Sequence, residues 1–313
     1  MNALVERILQ SDIRALARGI SLAEESSSRA GEMLRELYAH TGRATVLGLT
    51  GAAGSGKSSL VDRLTRLYRS NGKRVGIVAV DPSSAFSGGA LLGDRVRMQD
   101  HATDPDVFIR SMATRGFLGG LARASNDAID LMDAAGFDPI LVETVGVGQD
   151  EIDIVKTADV VSVVLVPGMG DDIQAIKAGI LEIADLFVIN KSDRDGADRV
   201  QSDLEFMLSL VQQHETPRPE IFRTVAIANE GIGEFDEGMA RFLDGVGKRR
   251  HGQRRRDRAR ARLQAVLGEQ LLALVQEKAL PGKAFDELVE RVADRELDPY
   301  SAVRKILERV EVR

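Results

Sequence analysis

Two rhythms of apolar residues alternate along this chain. Short, mainly apolar runs fall at 44–50, 74–80, 107–111, 137–142, 159–166, 184–189 and 221–227. Runs of that length predict strands, and the most continuous of them, 74–80, predicts one buried on both sides, as in a parallel sheet. Between them lie stretches where apolar residues return every three or four positions: one starting at 59–64, one over 118–135 and one over about 232–246. That spacing predicts helices. Strand and helix in turn define an α/β class, a mostly parallel sheet with helices on both faces. Ahead of the first run, residues 1–43 read as helices. Leu4, Ile8, Ile13, Leu16 and Ile20 lie near one face, Leu34 and Leu37 continue after Gly31, and Asp12 and Ser21 are candidate caps. Behind the last run, Leu263, Val266, Leu267, Leu271, Leu274 and Val275 form a helical stripe, followed by shorter helices around 285–292 and 300–310. The expected organisation is an N-terminal helical extension (1–43), a central α/β domain (44–247) and a C-terminal helical arm (248–313).

The chemistry is concentrated where the runs end. Gly51-Ala52-Ala53-Gly54-Ser55-Gly56-Lys57-Ser58 follows the first run and opens the first helix. It reads G-x-x-x-x-G-K-S/T, the phosphate-binding loop, in the strand–loop–helix setting this motif requires. Glycines let the backbone curl so that several N–H groups converge on one anion. The helix N-terminus adds partial positive charge. Lys57 is expected to reach the β- and γ-phosphates, and the Ser58 hydroxyl to ligate Mg²⁺.

Acids stand at the ends of two other runs. Asp81, before Pro82, either caps a turn or serves the metal and the attacking water. The glycine-bearing stretch 86–95 after it is a candidate switch loop with a second acid, Asp94. Glu143, with Gly146 three residues later, fits the metal-side acid and γ-phosphate sensor of phosphate-loop enzymes. A further glycine-flanked acidic stretch, Pro167 to Lys177, is either a second mobile segment or a helix capped by Asp171 or Asp172. Asn190-Lys191-Ser192-Asp193 reads N-K-x-D. A carboxylate there accepts from guanine N1–H and the exocyclic N2 amine; adenine lacks that donor pair and leaves the acid unpaired. Asn190 shapes the loop and Lys191 packs along the base. The last run, 221–227, is expected to meet the base through its backbone at Val225, Ala226 and Ile227.

Composition narrows the partners. The net charge of −6 marks neither a nucleic-acid nor a membrane protein. The basic run 248–256 has no interleaved aromatics and reads as a solvated helix start. No cysteine is present, which excludes disulfides, thiolate metal sites and a cysteine nucleophile, and the four scattered histidines give a histidine metal site little support. Neither a signal peptide nor an apolar stretch near the ~20 residues of a membrane span is visible. A cytoplasmic protein is expected.

Together these motifs resemble the GTPase chaperones of adenosylcobalamin-dependent acyl-CoA mutases, the methylmalonyl-CoA mutase-associated branch of the phosphate-loop GTPases. The resemblance rests on 51–59; on Asp81-Pro82-Ser83-Ser84, Gly88-Gly89 and 92–98; on 143–149; and on 167–171 through Gln174 to Lys177. It implies GTP, GDP and Mg²⁺ as ligands, a homodimer built through the C-terminal arm, and a client mutase whose cofactor loading is gated by hydrolysis. It places the magnesium and catalytic acids on Asp81, Asp94 and Glu143, and the base-reading acid on Asp193. Contacts of an extra switch, used with the client, fall on Asp171 and Lys177, and phosphate contacts on 51–59, including Ser59. The turn at Val225-Ala226 departs from the Ser-Ala or Ser-Gly common among GTPases and lacks a serine hydroxyl. Two other readings share the fold. A nickel-delivery GTPase needs Cys or His ligands, absent as a cluster here. An ATPase linked to basic amino-acid transport is opposed by Asn190-Lys191-Ser192-Asp193. A regulatory module that holds GTP without turnover is less favoured by the full set of acids.

Overall fold

A computed structural model describes residues 3–25, 28–81, 101, 103–113, 120–144, 154–168, 181, 183–211, 218–280 and 283–308. The chain forms two compact units, residues 1–258 and 259–313.

The first unit is built on seven parallel strands: β1 (Val46–Thr50), β2 (Val75–Asp81), β3 (Val107–Ala113), β4 (Ile140–Thr144), β5 (Val160–Leu165), β6 (Leu186–Asn190) and β7 (Glu220–Thr224). Their order is β3-β2-β4-β1-β5-β6-β7. β1 therefore sits between the half of the sheet reached through β2 and the half reached through β5. The crevice outside its carboxyl end is the topological switch point where open α/β sheets bind ligands. The apolar character of these runs is explained by burial: every residue of β1, β4 and β6 is buried.

Helices cover both faces. α1 (Ala3–Leu9), α2 (Ile13–Glu24) and α3 (Ser28–Leu37) join α5 (Gly120–Ala134) on one face. Val5, Ile8, Leu16, Ile20, Met33 and Leu37 share a core there with Val78, Phe108 and Leu131. α4 (Lys57–Ser70) and α7 (Ile232–Asp244) pack on the other, where Leu60, Val61, Leu64 and Phe235 meet Leu49, Ile77 and Val188. α6 (Ala197–Val211) places Leu204 and Leu208 against Phe187. Asp12 is the N-cap of α2, accepting from the Arg14 and Ala15 amides. Ser21 is not a cap: it lies inside α2 and its hydroxyl returns to the Ala17 carbonyl. A serine in a helix interior takes the carbonyl four residues back when no N-terminus needs it.

The opposite, amino-terminal edge of the sheet is held by aspartates. Asp138 accepts from the Thr45 amide, Asp159 from Val46 and Asp185 from Val161, each at 2.8–2.9 Å. These carboxylates satisfy backbone donors at strand starts, where no ladder partner is available. On the other face of the sheet, α4 is tied sideways as well. Tyr68 donates its phenol to Asp236 of α7, Asp62 meets the buried His101 at 2.8 Å, and Arg69 pairs with Asp104 and Asp106.

α8 (Val246–Ala279) runs for 34 residues and includes the whole basic run, which is helix interior rather than only a helix start. In the second unit, α9 (Ala284–Ala293) and α10 (Pro299–Glu308) pack on each other. Leu263, Leu267, Leu271 and Leu274 of α8 are 68%, 53%, 51% and 39% exposed. No helix among the described residues is long and apolar enough to cross a membrane.

Candidate functional site

The phosphate loop leaves β1 at a residue no side chain could occupy. Gly51 has φ +139°, and a Cβ there would stand 2.2 Å from the Val164 carbonyl oxygen of β5. Gly56, at φ +90°, would place a Cβ 2.3 Å from the Asn190 amide nitrogen. These two glycines let the loop lie flat against β5 and β6. α4 then begins at Lys57. Its first-turn amides at Lys57, Ser58 and Ser59 have no carbonyl one turn back within the helix, which leaves them for an anion.

Lys57 is 5% exposed, and its ammonium donates to the carbonyls of Gly51 (2.8 Å) and Ala52 (2.9 Å). The side chain therefore folds back over its own loop. The Ser55 hydroxyl is fully buried and has no hydrogen-bond partner among the described residues. Ser58 donates to Glu143 Oε1 at 2.6 Å, across the gap between the loop and the end of β4. Glu143 is buried at 7% exposure. Its neighbour Thr144 donates to Thr50 at 2.9 Å, fastening the β4 end to the root of the loop. A hydroxyl and a carboxylate in contact beside a phosphate cradle are the hard oxygen donors Mg²⁺ selects. The residues present thus fit a magnesium–nucleotide phosphate group.

At the base end, Asn190 is 1% exposed and bridges two loops. Its amide donates to the Ser55 carbonyl of the phosphate loop at 2.9 Å. Its oxygen accepts from the Thr224 hydroxyl and the Ala226 amide, both at 3.2 Å. Lys191 takes a left-handed φ of 56°, which turns its stem back over the loop to donate to the Gly54 carbonyl at 2.8 Å. Asp193 is exposed in the adjoining turn. Ser192 is anchored through its amide to the Thr224 carbonyl.

The last strand is shorter than its apolar run suggests. β7 ends at Thr224, and a tight 3₁₀ turn occupies Ala226–Ala228. Val225 and Glu230 exchange backbone hydrogen bonds, and Asn229 and Gly231 adopt left-handed φ. The chain closes on itself there, so Val225, Ala226 and Ile227 form a loop and not a strand end. Ile227 is 76% exposed, and Ala226 is buried.

The structure thus brings Gly51–Ser59, Glu143, Asn190, Lys191, Asp193 and 225–227 to the carboxyl edge of one sheet. Asp81 is the last residue of β2 and aligns with Ala113. Asp94, Gly146, Asp171, Lys177 and both candidate switch loops lie outside the described residues, apart from Pro167 and Gly168. Three contributors were missed in the sequence: Thr50, read only as the end of the first run, Thr144, read only as part of the 143–149 stretch, and Arg63. Arg63 sits on α4 and reaches the Ala226 and Ile227 carbonyls at 2.8 and 3.1 Å. No local pattern marks it, because its partners are more than 160 residues away.

Comparison with known proteins adds the family. The profile described as methylmalonyl Co-A mutase-associated GTPase MeaB matches residues 16–280. A protein of Pyrococcus abyssi named as a GTPase is 48% identical over 316 residues, covering 99% of this chain and 97% of that protein. The mouse mitochondrial methylmalonic aciduria type A homolog is 42% identical over 200 residues, 63% of this chain and 48% of its own length. A crystal structure of the LAO/AO transport system kinase covers 97% of this chain and 95% of its own with TM-score 0.67 at 23% identity, a likeness of fold.

Proposed function

Because the chain belongs to the methylmalonyl Co-A mutase-associated GTPases, we propose that it uses GTP to control an adenosylcobalamin-dependent acyl-CoA mutase. The protein is a GTPase, and its family ties it to methylmalonyl-CoA mutase. The finer reading is that of a Mg²⁺-dependent chaperone: hydrolysis gates cofactor loading into the client and protects or reactivates it. The observation that carries the catalytic half is the Ser58–Glu143 contact at 2.6 Å, which joins phosphate loop and β4 acid in one oxygen-lined corner.

In this reading the loop amides and Lys57 hold the β- and γ-phosphates, with Lys57 exchanging its two loop carbonyls for phosphate oxygens. Ser58, Glu143, Asp81 and Asp94 serve the Mg²⁺, which neutralises charge on the β- and γ-oxygens when bound. Glu143 or Asp81 orients the lytic water, and the Gly146 amide meets the γ-phosphate. Asp193 takes the guanine N1 and N2 hydrogens. The exposed leucines at 263, 267, 271 and 274 of α8 are proposed to be covered by a second copy, giving a cytoplasmic homodimer.

The 171–177 segment is assigned to the client. Docking brings Lys177 or Asp171 toward the nucleotide, and a cation there stabilises charge on the transferred phosphoryl group; such groups raise rates by roughly 10³–10⁵-fold. The test is turnover of wild type and Lys177→Ala, each with and without an adenosylcobalamin-dependent mutase. Wild type should be stimulated, and the variant should keep its GTP affinity and basal rate while losing most of the stimulation. Equal stimulation of both removes the role of Lys177, and no stimulation of wild type removes the client.

A further inference from the structure

From the contacts of α4 with the 225–230 loop, we infer that Arg63 is a specificity-positioning residue: it aims the Ile227 amide at the O6 atom of guanine. The inference rests on the guanine-nucleotide reading above and concerns how this chain supplies a donor that its sequence does not advertise. Arg63 lies about one and two-thirds turns beyond Lys57 on the same helix. Its side chain is 27% exposed, and its guanidinium spans two successive carbonyls: Nε donates to Ala226 at 2.8 Å and Nη2 to Ile227 at 3.1 Å. Asp62 stands 3.9 Å away, too far to draw the fork off those carbonyls by a hydrogen bond.

Peptide planarity turns this grip into an orientation. The carbonyl of Ala226 and the amide of Ile227 belong to one trans peptide plane and point in opposite directions. Holding the carbonyl toward α4 therefore sends the Ile227 N–H away from α4. The neighbouring amides are engaged elsewhere: Ala226 N donates to Asn190, Ala228 N to Val225 O, and Asn229 N to Ala226 O. Ala226 O thus accepts from both Arg63 and Asn229, and this peptide is held on two sides. The loop closes tightly on β7, since a Cβ at Gly231, φ +71°, would stand 2.0 Å from the Arg223 carbonyl oxygen.

The consequence is selectivity at a second edge of the base. Guanine presents an acceptor at O6, whereas adenine presents an N6 donor there. A backbone N–H fixed by Arg63 favours the first and opposes the second. It also stands in for the serine that many GTPases carry at this turn and that Val225 replaces. Asp193 reads the N1 and N2 side, and Arg63 reaches the O6 side through the peptide it clamps.

The test separates the two edges. Calorimetric titration is made with GDP and with 6-thioguanosine 5′-diphosphate, which keeps N1–H and the 2-amino group and replaces O6 with sulfur, a much weaker acceptor. Wild type, Arg63→Lys and Arg63→Ala are compared. Wild type should prefer GDP. Arg63→Ala should lose about tenfold in GDP affinity, the value of one hydrogen bond at the upper end of its range, and less than about twofold for the analogue. Arg63→Lys, which can reach one carbonyl, should fall between. The ratio of the two affinities is read within each preparation, so a partly unfolded variant still reports it. If Arg63→Ala cannot be purified, the ratio in Arg63→Lys decides. Equal losses for both nucleotides, or an unchanged GDP affinity, overturn the inference and leave Arg63 a structural strut. Failure of wild type to bind GDP at all overturns instead the guanine reading beneath it.

Discussion

Removing the Asn190 side chain should damage both ends of the nucleotide site at once. In Asn190→Ala the Ser55 carbonyl loses its 2.9 Å donor, and the Thr224 hydroxyl and Ala226 amide lose their shared acceptor at 3.2 Å. Asn190, Thr224 and Ala226 are at most 2% exposed, so water does not replace the lost partners. Three net hydrogen bonds at about 1 kcal/mol each amount to roughly 3 kcal/mol. For a folding unit of this size, that should lower the thermal midpoint by about 6–12 °C. Differential scanning calorimetry of the nucleotide-free protein reads this directly. A second scan with excess GDP reads the site: each tenfold loss in affinity removes about 1.4 kcal/mol of ligand-induced stabilisation. Asn190→Asp is the sharper control. It keeps the acceptor for Thr224 and Ala226 but turns a carboxylate oxygen toward the Ser55 carbonyl, so its loss should equal or exceed that of the alanine variant. A nucleotide-free midpoint within about a degree of wild type, together with an undiminished GDP shift, would refute the bridging role.

The metal corner and α4 each carry a further prediction. Glu143→Gln keeps an acceptor for Ser58 but removes a charge beside the metal; turnover should fall about 100-fold and the Mg²⁺ concentration for half-maximal activity should rise, as measured by phosphate release over a Mg²⁺ series. An unchanged Mg²⁺ dependence would detach Glu143 from the metal. Tyr68 is pushed well above the ordinary phenol value of 10.0 by burial first and by the Asp236 charge and hydrogen bond next. Folded protein therefore keeps this proton while the unfolded chain releases it above pH ~10, so stability is full below that pH and falls by up to about 1.4 kcal/mol per pH unit above it. Urea unfolding between pH ~9 and ~11.5 should show that extra slope in wild type and not in Tyr68→Phe; parallel curves would remove the linkage.

The strands and the phosphate loop were legible because their signals are local. A run such as 186–189 is wholly apolar, and G-x-x-x-x-G-K-S fixes its own backbone demands. Acids were only half legible. Asp138, Asp159 and Asp185 look in sequence much like Asp81, Glu143 and Asp193, yet the first three precede strands and satisfy backbone amides at the far edge. Position relative to the apolar run separates the two sets. β7 was overextended because Val225, Ala226 and Ile227 are as apolar as a strand, while Asn229 and Gly231, which turn the chain, come after them. Arg63 and the Thr50–Thr144 pair stayed hidden because each joins segments far apart in the chain and depends on the sheet order. The 34-residue span of α8 was missed because its charged half carries no apolar stripe to extend the helical period.

The hydrogen bond from Tyr68 to Asp236 also gives the molecule a built-in optical reporter. The chain has no tryptophan and three tyrosines. Tyr38 and Tyr300 are exposed, at 66% and 88%, so their emission should resemble that of a free phenol. Tyr68, bound to a carboxylate, should be quenched by that hydrogen bond and should brighten when α4 and α7 part. Excited at the tyrosine band, the native protein therefore reports the opening of its nucleotide-binding unit without a label. A single tryptophan introduced at the exposed Ile227 would have a silent spectral window to itself, red of every tyrosine, and a change in its emission on adding GDP would test the proposed seat of the base.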